Sequence, residues 1–196
     1  MADPTVRSYA SAATSTDNPV AAPKPTGLTA GDLIVIALGM SGGNTSGSPT
    51  GFTQQVVNSV VNQRIELWTK IAAAGDVSGS GWNIPNSGSV STKCLVWAVR
   101  DAGEIEYAAI AENGNAYTYA LAALDPEAAN DLLLGFLAIE SINPICWTEN
   151  NNPSWTKDYE DQTGSVRCRG YHATYASDAS TGAIAGGSDY KSSGAF

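Results

Sequence analysis

One pattern occurs twice in this chain and narrows what it can fold into. The stretch Pro25-Thr-Gly-Leu-Thr-Ala-Gly31-Asp32-Leu-Ile-Val-Ile-Ala-Leu-Gly39 is a turn-rich lead-in followed by an unbroken apolar run. It returns 99 residues later as Asp125-Pro126-Glu-Ala-Ala-Asn130-Asp131-Leu-Leu-Leu-Gly-Phe-Leu-Ala-Ile139. A short apolar run bounded by turn signals reads as a strand buried on both faces. Residues 32–40 and 131–140 are therefore expected as interior strands, and each needs cover on two sides. A second sheet can supply one cover. The N-terminal stretch or another subunit can supply the other.

The repetition continues beyond the first strand. Residues 63–71 alternate, with Ile65, Leu67 and Ile71 on one face and Arg64, Glu66, Trp68 and Lys70 on the other. Period two predicts a strand with one solvated face. On that face Trp68 reads either as a tryptophan tucked under a loop or as an interface residue. Residues 167–174 repeat 64–71 at an offset of 103, which matches Trp68 with Tyr171. Asn152-Pro-Ser-Trp155-Thr156 repeats Ser48-Pro-Thr-Gly-Phe52-Thr53. The growth of the offset places about four added residues in the loop that holds residues 150–152. Each half has too few strands to cover its own core, so the two together predict one sandwich. The expectation is an all-β, jelly-roll-like β-sandwich of residues 25–196, with half-repeats at about 25–100 and 124–196 and an N-terminal arm at 1–24. Within the arm, residues 5–10 have the pattern of an edge strand. Residues 72–91 read as a Gly/Ser-rich close to the first half, and residues 104–112 as a strand ending in an Asn113-Gly114 turn, with 117–123 pairing back.

Charge narrows the function classes. The net charge is −9, and residues 101–161 hold twelve acids against one base, Lys157. A nucleic-acid binder needs a basic stripe that displaces counterions, so this chain is not expected to be one. The acidic segment reads as a solvated, solubilising surface. The three cysteines, Cys94, Cys146 and Cys168, have no framework or metal spacing, and Cys94 and Cys168 sit in apolar patterns. Free thiols suggest a reducing folding compartment. No signal-peptide pattern is visible, and no apolar run approaches the ~18 residues of a membrane span.

Candidate chemistry is sparse. Gly39-Met-Ser41-Gly-Gly43 follows a strand and matches the nucleophile-elbow pattern. That elbow needs a helix next, and Asn-Thr-Ser-Gly-Ser-Pro cannot start one. The single histidine, His172, takes the place of Thr69 in the repeat and shares a side with Val166 and Cys168. It reads as a semi-buried, hydrogen-bonded residue, and one histidine without paired cysteines does not make a zinc site. Asp158-Tyr-Glu160-Asp161 and Glu104-Ile-Glu106 are carboxylate clusters read as solvated surface; their spacing fits no standard calcium loop. Trp147, Trp155, Tyr159, Tyr171 and Tyr175 are either core and interface aromatics or a sugar platform. No catalytic, cofactor or metal residues are expected. The candidate interface residues are Trp68, Trp147, Trp155, Tyr159 and Tyr171.

The order Pro-x-Gly-x-x-x-Gly-Asp-Leu plus an apolar strand, a Gly/Ser loop, Pro-x-Gly-Phe-Thr, Ile-Glu-Leu-Trp-Thr-Lys-Ile-Ala and Leu-Val-Trp-Ala-Val-Arg resembles β-sandwich virion proteins of tailed bacteriophages. The resemblance covers about residues 1–100 directly and the second half through the repeat. It departs at Phe52, where that family usually has Trp, and at Asp101, where Gly is usual. It implies a structural virion protein, most simply a capsid decoration or cement protein, with a tail-associated adhesin or carbohydrate-binding module as the alternative. It carries no catalytic residues. The partners it implies are the chain itself, as a homo-oligomer (a trimer by analogy), and the major capsid or tail proteins. Nucleic acid, membrane and cofactors are not expected. The implied location is the virion, reached through the host cytoplasm.

Overall fold

In a computed structural model the chain is nearly all β. The structure describes residues 3–14, 18–41, 46–60, 63–88, 91–102, 118–121, 131–140, 154–161, 163–164, 166–176, 184–187 and 194–195. The first half contains β1 (Thr5–Thr14), β2 (Val20–Pro23), β3 (Leu33–Ser41), β4 (Thr53–Val60), β5 (Gln63–Ile71), a short helix α1 (Ala74–Ser78), β6 (Gly81–Ile84) and β7 (Thr92–Arg100). The second contains β8 (Thr118–Leu121), β9 (Asp131–Glu140), β10 (Thr156–Asp161), β11 (Val166–Tyr175), β12 (Ile184–Gly187) and β13 (Gly194–Ala195).

The first half forms a sheet in the order β1-β7-β3-β5-β4, and the second a sheet in the order β13-β9-β11-β10. The named strand pairs are antiparallel. As expected, β3 and β9 are interior strands. The two sheets also share their register. Leu33 pairs with Ile71 in the first, and Leu132 pairs with Thr174, at the repeated positions, in the second. Thr53 faces Thr69, as Thr156 faces His172. Each outer pair breaks at the same point, with a bulge at Gln55 in the first half and at Asp158 in the second. Outside the sheets, the ribbon β2–β6 is repeated by β8–β12: Val20 pairs with Ile84, and Thr118 with Gly187. Within 117–123, expected to pair with 104–112, Thr118–Leu121 supplies a strand to β12. Residues 104–112 lie outside the described residues. The duplication reaches further toward the N-terminus than the sequence pattern indicates, because the short ribbon strands have no alternation to read.

Equivalent faces meet. Leu33, Val35 and Ala37 of β3 pack toward Phe136 and Ala138 of β9, with Leu67, Leu95, Trp97, Val166 and Cys168 in the same cluster. At the crossing of β3 and β9 a Cβ on Gly39 would come within 2.4 Å of the Ala138 Cβ. Gly39 and Ala138 are the same position in the two halves, so the crossing lies on the pseudo-two-fold axis of the sandwich. Trp97 and Leu95 lie so close over Gly170 that a Cβ there would meet Leu95 Cδ2 at 2.0 Å.

The far face of the first sheet has its own cover. Ile34, Ile36, Leu38, Trp68, Cys94, Val96 and Ala98 pack with Val20, Ala22 and Ile84 of the ribbon and with Phe52. Within the strip 1–24, Thr5–Thr14 and Val20–Pro23 are therefore bound to their own chain. β1 forms an edge of the first sheet and β2 lies in the covering layer. This layer corrects the solvated face expected for β5: Glu66 is 0% and Trp68 5% exposed. Alternating charge there marks a polar set buried with its partners. Ser46 and Arg64 bond the Glu66 carboxylate, and Trp68 Nε1 donates to it at 3.1 Å.

The Gly31-Asp32-Leu33 entry to β3 has a direct structural cause. Gly31 has φ 94°, in the left-handed region that favours glycine. The Asp32 carboxylate then accepts Thr29 N at 2.8 Å, closing the turn, and Arg7 Nε at 2.9 Å, tying β1 to the start of β3.

The crossing yields a symmetric test. Gly39→Ala should cost about 1–3 kcal/mol by overpacking. The exchange Gly39→Ala with Ala138→Gly keeps one methyl on the axis and should recover most of that loss. Urea denaturation of both variants measures it; equal losses in the single and double variants would refute the crossing.

Candidate functional site

Three of the five candidate interface residues, Trp155, Tyr159 and Tyr171, lie on or beside the β10–β11 ladder. The bulge at Asp158 adds a residue to β10 and turns its side chain inward beside Tyr159. Asp158, 8% exposed, accepts Trp97 Nε1 from the facing sheet at 2.7 Å and lies 2.7 Å from His172 Nδ1 on the adjacent strand. The first half has a neutral version of this contact, in which Gln55 Nε2 donates to Thr69 Oγ1 at 2.7 Å. His172 is thus semi-buried and hydrogen-bonded, as its place in the repeat predicts. Asp158 holds its ring through Nδ1.

The cluster read as solvated surface is instead engaged residue by residue. Asp158 is buried against Trp97 and His172. Asp161 accepts Lys93 Nζ from the first sheet at 2.6 Å, and Lys93 is itself 3% exposed. Glu160 bridges Lys157 and Arg169 on the outward side. Hydrogen-bonding partners for Asp158 and the cations Lys93, Lys157 and Arg169 for Asp161 and Glu160 make burial of these carboxylates tolerable. Glu104 and Glu106 lie outside the described residues.

Burial alone would raise the Asp161 pKa, but hydrogen bonds from Lys93 and Thr163 outweigh it and hold the group below its ordinary 3.8. Burial also pushes the Tyr159 hydroxyl up, with the nearby Cys168 and Asp161 acting the same way. The Cys94 thiol is pushed up to about 12 by burial, and Cys168 is raised for the same first cause. Both are inert packing groups by that measure. Cys146 lies outside the described residues.

The aromatic candidates divide. Trp68 of β5 is 5% exposed and packs beneath the covering layer. Trp155 is half-buried and meets the buried Tyr171 edge to face, with ring centroids 6.4 Å apart at 68°. Tyr159 packs against the inter-sheet core and its hydroxyl donates to Asp161 at 3.3 Å. Tyr175 is half-buried at the end of β11. Trp147 lies outside the described residues. Ser41 ends β3 opposite Gln63, and among the described residues no hydrogen bond joins it to His172. Among the described residues no group of three or more His, Cys, Asp or Glu is arranged to hold a metal ion. The chemistry this ladder shows is the clamping of one sheet to the other, through Trp97–Asp158 and Lys93–Asp161. No sequence signal locates it, because the alignment of Asp158 with Gln55 gains its meaning only from the pairing that makes both bulge residues.

No family model, curated protein or solved structure matches this chain.

Two outcomes are expected. Asp158→Ala leaves the buried Trp97 N–H without its acceptor and should cost about 1–3 kcal/mol. Adding Trp97→Phe should cost less than the sum of the single changes, as a double-mutant cycle in urea will show. For Asp161, a folded pKa below the unfolded value gives stability that is present above the unfolded value and lost as pH falls through the folded one. Asp161→Asn should therefore flatten the loss of thermal stability on acidification below pH ~4, without steepening it at neutral pH.

Proposed function

We propose that the chain is a structural virion protein of a tailed bacteriophage, acting as a capsid decoration or cement subunit through contacts with neighbouring proteins. The observation that carries this reading is the work done by the residues of the resembling motif. Asp32 closes a turn and fixes an edge strand. Phe52 is packed in the covering layer, and Lys70 and Asp76 form an ion pair at 2.7 Å beside it. Trp97 clamps the sheets. A shared pattern whose members all serve turns, layers and clamps describes a scaffold. The uneven charge adds to it: twelve acids against one base in residues 101–161 give a strongly acidic segment, suited to a basic neighbour. Self-association into a trimer rests on the resemblance alone, since β1 and β2 belong to the chain's own sandwich.

A second reading, a tail adhesin or carbohydrate-binding module, is favoured by one observation. Trp155 stays half-buried against Tyr171, which pairs with Lys157 on a ladder that also carries Glu160 and Arg169, a mixture of ring and polar groups that also suits a sugar.

The test is electron microscopy of particles labelled with an antibody to this chain. Regularly spaced label over the head supports decoration, label confined to the tail supports the adhesin, and unlabelled particles of a phage encoding the chain would defeat both.

A further inference from the structure

The two main sheets end in four edge strands, and an open edge is a template for another strand. Three of the four are blunted. β4 breaks its ladder with the bulge at Gln55. β10 has the bulge at Asp158, and four of its six residues are charged: Lys157, Asp158, Glu160 and Asp161. β13 is two residues long.

The fourth edge, β1, has none of these devices over most of its length. Its ladder with β7 shifts at Arg7 and then runs unbroken from the Ser8–Ala98 pair to the Thr14–Thr92 pair. The run Ser8-Tyr-Ala-Ser-Ala-Ala-Thr14 has no charge, no proline and no glycine. Arg7, the one charged residue of β1, is engaged within the chain: its Nε and Nη2 donate to the Asp32 carboxylate at 2.9 and 3.2 Å. Among the described residues β1 pairs with β7 alone. Tyr9, Ser11 and Ala13 are exposed along it, Tyr9 by 47%. Tyr9 pairs with Trp97, a member of the inter-sheet cluster, so its ring stands at the rim of the sandwich.

We propose that the Ser8–Thr14 edge pairs antiparallel with the same edge of a second copy of this chain, continuing the first sheet across a two-fold axis. The occupant follows from the run's own pattern. When all seven residues are paired with their copies, Ser11 lies on the axis. Ser11 then faces Ser11 of the copy, Ala10 faces Ala12, Tyr9 faces Ala13 and Ser8 faces Thr14. The one large ring meets one of the smallest side chains, hydroxyls meet hydroxyls, and no like charges are opposed. A two-fold contact requires self-complementarity of this kind. Charge permits the approach as well. Residues 1–100 carry six bases and five acids, whereas the acidic excess lies in residues 101–161. The strand β10 reaches β1 through a hydrogen bond between Tyr159 and Ser11, and its acids are matched within the chain: Asp161 by Lys93, Glu160 by Lys157 and Arg169. The contact stands on the chain's own edge and does not require the virion reading; it gives the homo-oligomer of that reading a surface.

The test is sedimentation equilibrium of the full-length protein from about 1 µM to about 1 mM, since a ladder of seven residues is a small interface. A monomer–dimer equilibrium is expected. Ser11→Lys and Ser11→Glu each set like charges face to face on the axis and should raise the dimer Kd by at least ~fivefold. An equimolar mixture of the two should recover the dimer, because the opposed charges are then unlike. If either variant does not fold, Ala13→Lys, an exposed edge lysine set against Tyr9 of the copy, serves in its place and should weaken the dimer likewise. A monomer throughout the range overturns the proposal. So does a dimer or trimer indifferent to these changes, which would place the contact on another face. Unlabelled particles in microscopy, together with a dimer that responds as expected, would remove the virion reading and leave the contact standing.

Discussion

The structure depends on the close approach of β3 and β9 through equivalent faces. Neither sheet can hide its apolar residues alone. Val35 and Ala37 are fully buried only because Phe136 and Ala138 come down on them, and the approach is possible only because position 39 carries no side chain. Burial of this kind contributes roughly 25 cal/mol per Å² of apolar surface. It is lost wherever a few tenths of an ångström are missing, since interiors are packed like crystals. The ribbon β2–β6 completes the same logic on the far side of the first sheet, giving β3 a covered surface on both faces.

Polar groups are then fitted into this dry frame in a recurring way. Among the described residues, three indole N–H groups end on carboxylates: Trp68 on Glu66, Trp82 on Asp76 and Trp97 on Asp158. Each carboxylate has a second donor or titratable partner, namely Arg64, Lys70 or His172. Such groups are costly to bury alone and acceptable when every strong donor and acceptor is paired. They also fix orientation, because a misplaced sheet would strand an ion as well as open a gap.

Much of this was legible in the chain. Two-sided apolar runs located β3 and β9, and the offsets of 99 and 103 carry one register onto the other residue by residue. What escaped is what periodicity does not encode. Short strands such as Val20–Pro23 and Gly81–Ile84 lie in Pro- and Gly-rich sequence and are strands only because they pair with each other. The charged face of β5 alternates as a solvated face does, and nothing local reveals that a further layer covers Glu66. At the candidate site, the half-buried state of His172 was readable from its place beside Cys168. The inward turn of Asp158 was not, because a bulge is a property of the pairing and not of either strand alone.

The meeting of Gly39 with Ala138 bears on the history of such a chain. If an ancestral half once formed this sandwich by pairing with a second copy of itself, the residue on the axis had to meet itself. Two alanines there would have crowded one another, and two glycines would have left a gap. A symmetric dimer offers no third choice, because every substitution appears twice. Joining the copies in one chain removes that constraint, and a single methyl can fill the centre from one side. The same release lets the two halves diverge at matched positions elsewhere, as where Phe52 and Thr69 of one half stand as Trp155 and His172 in the other.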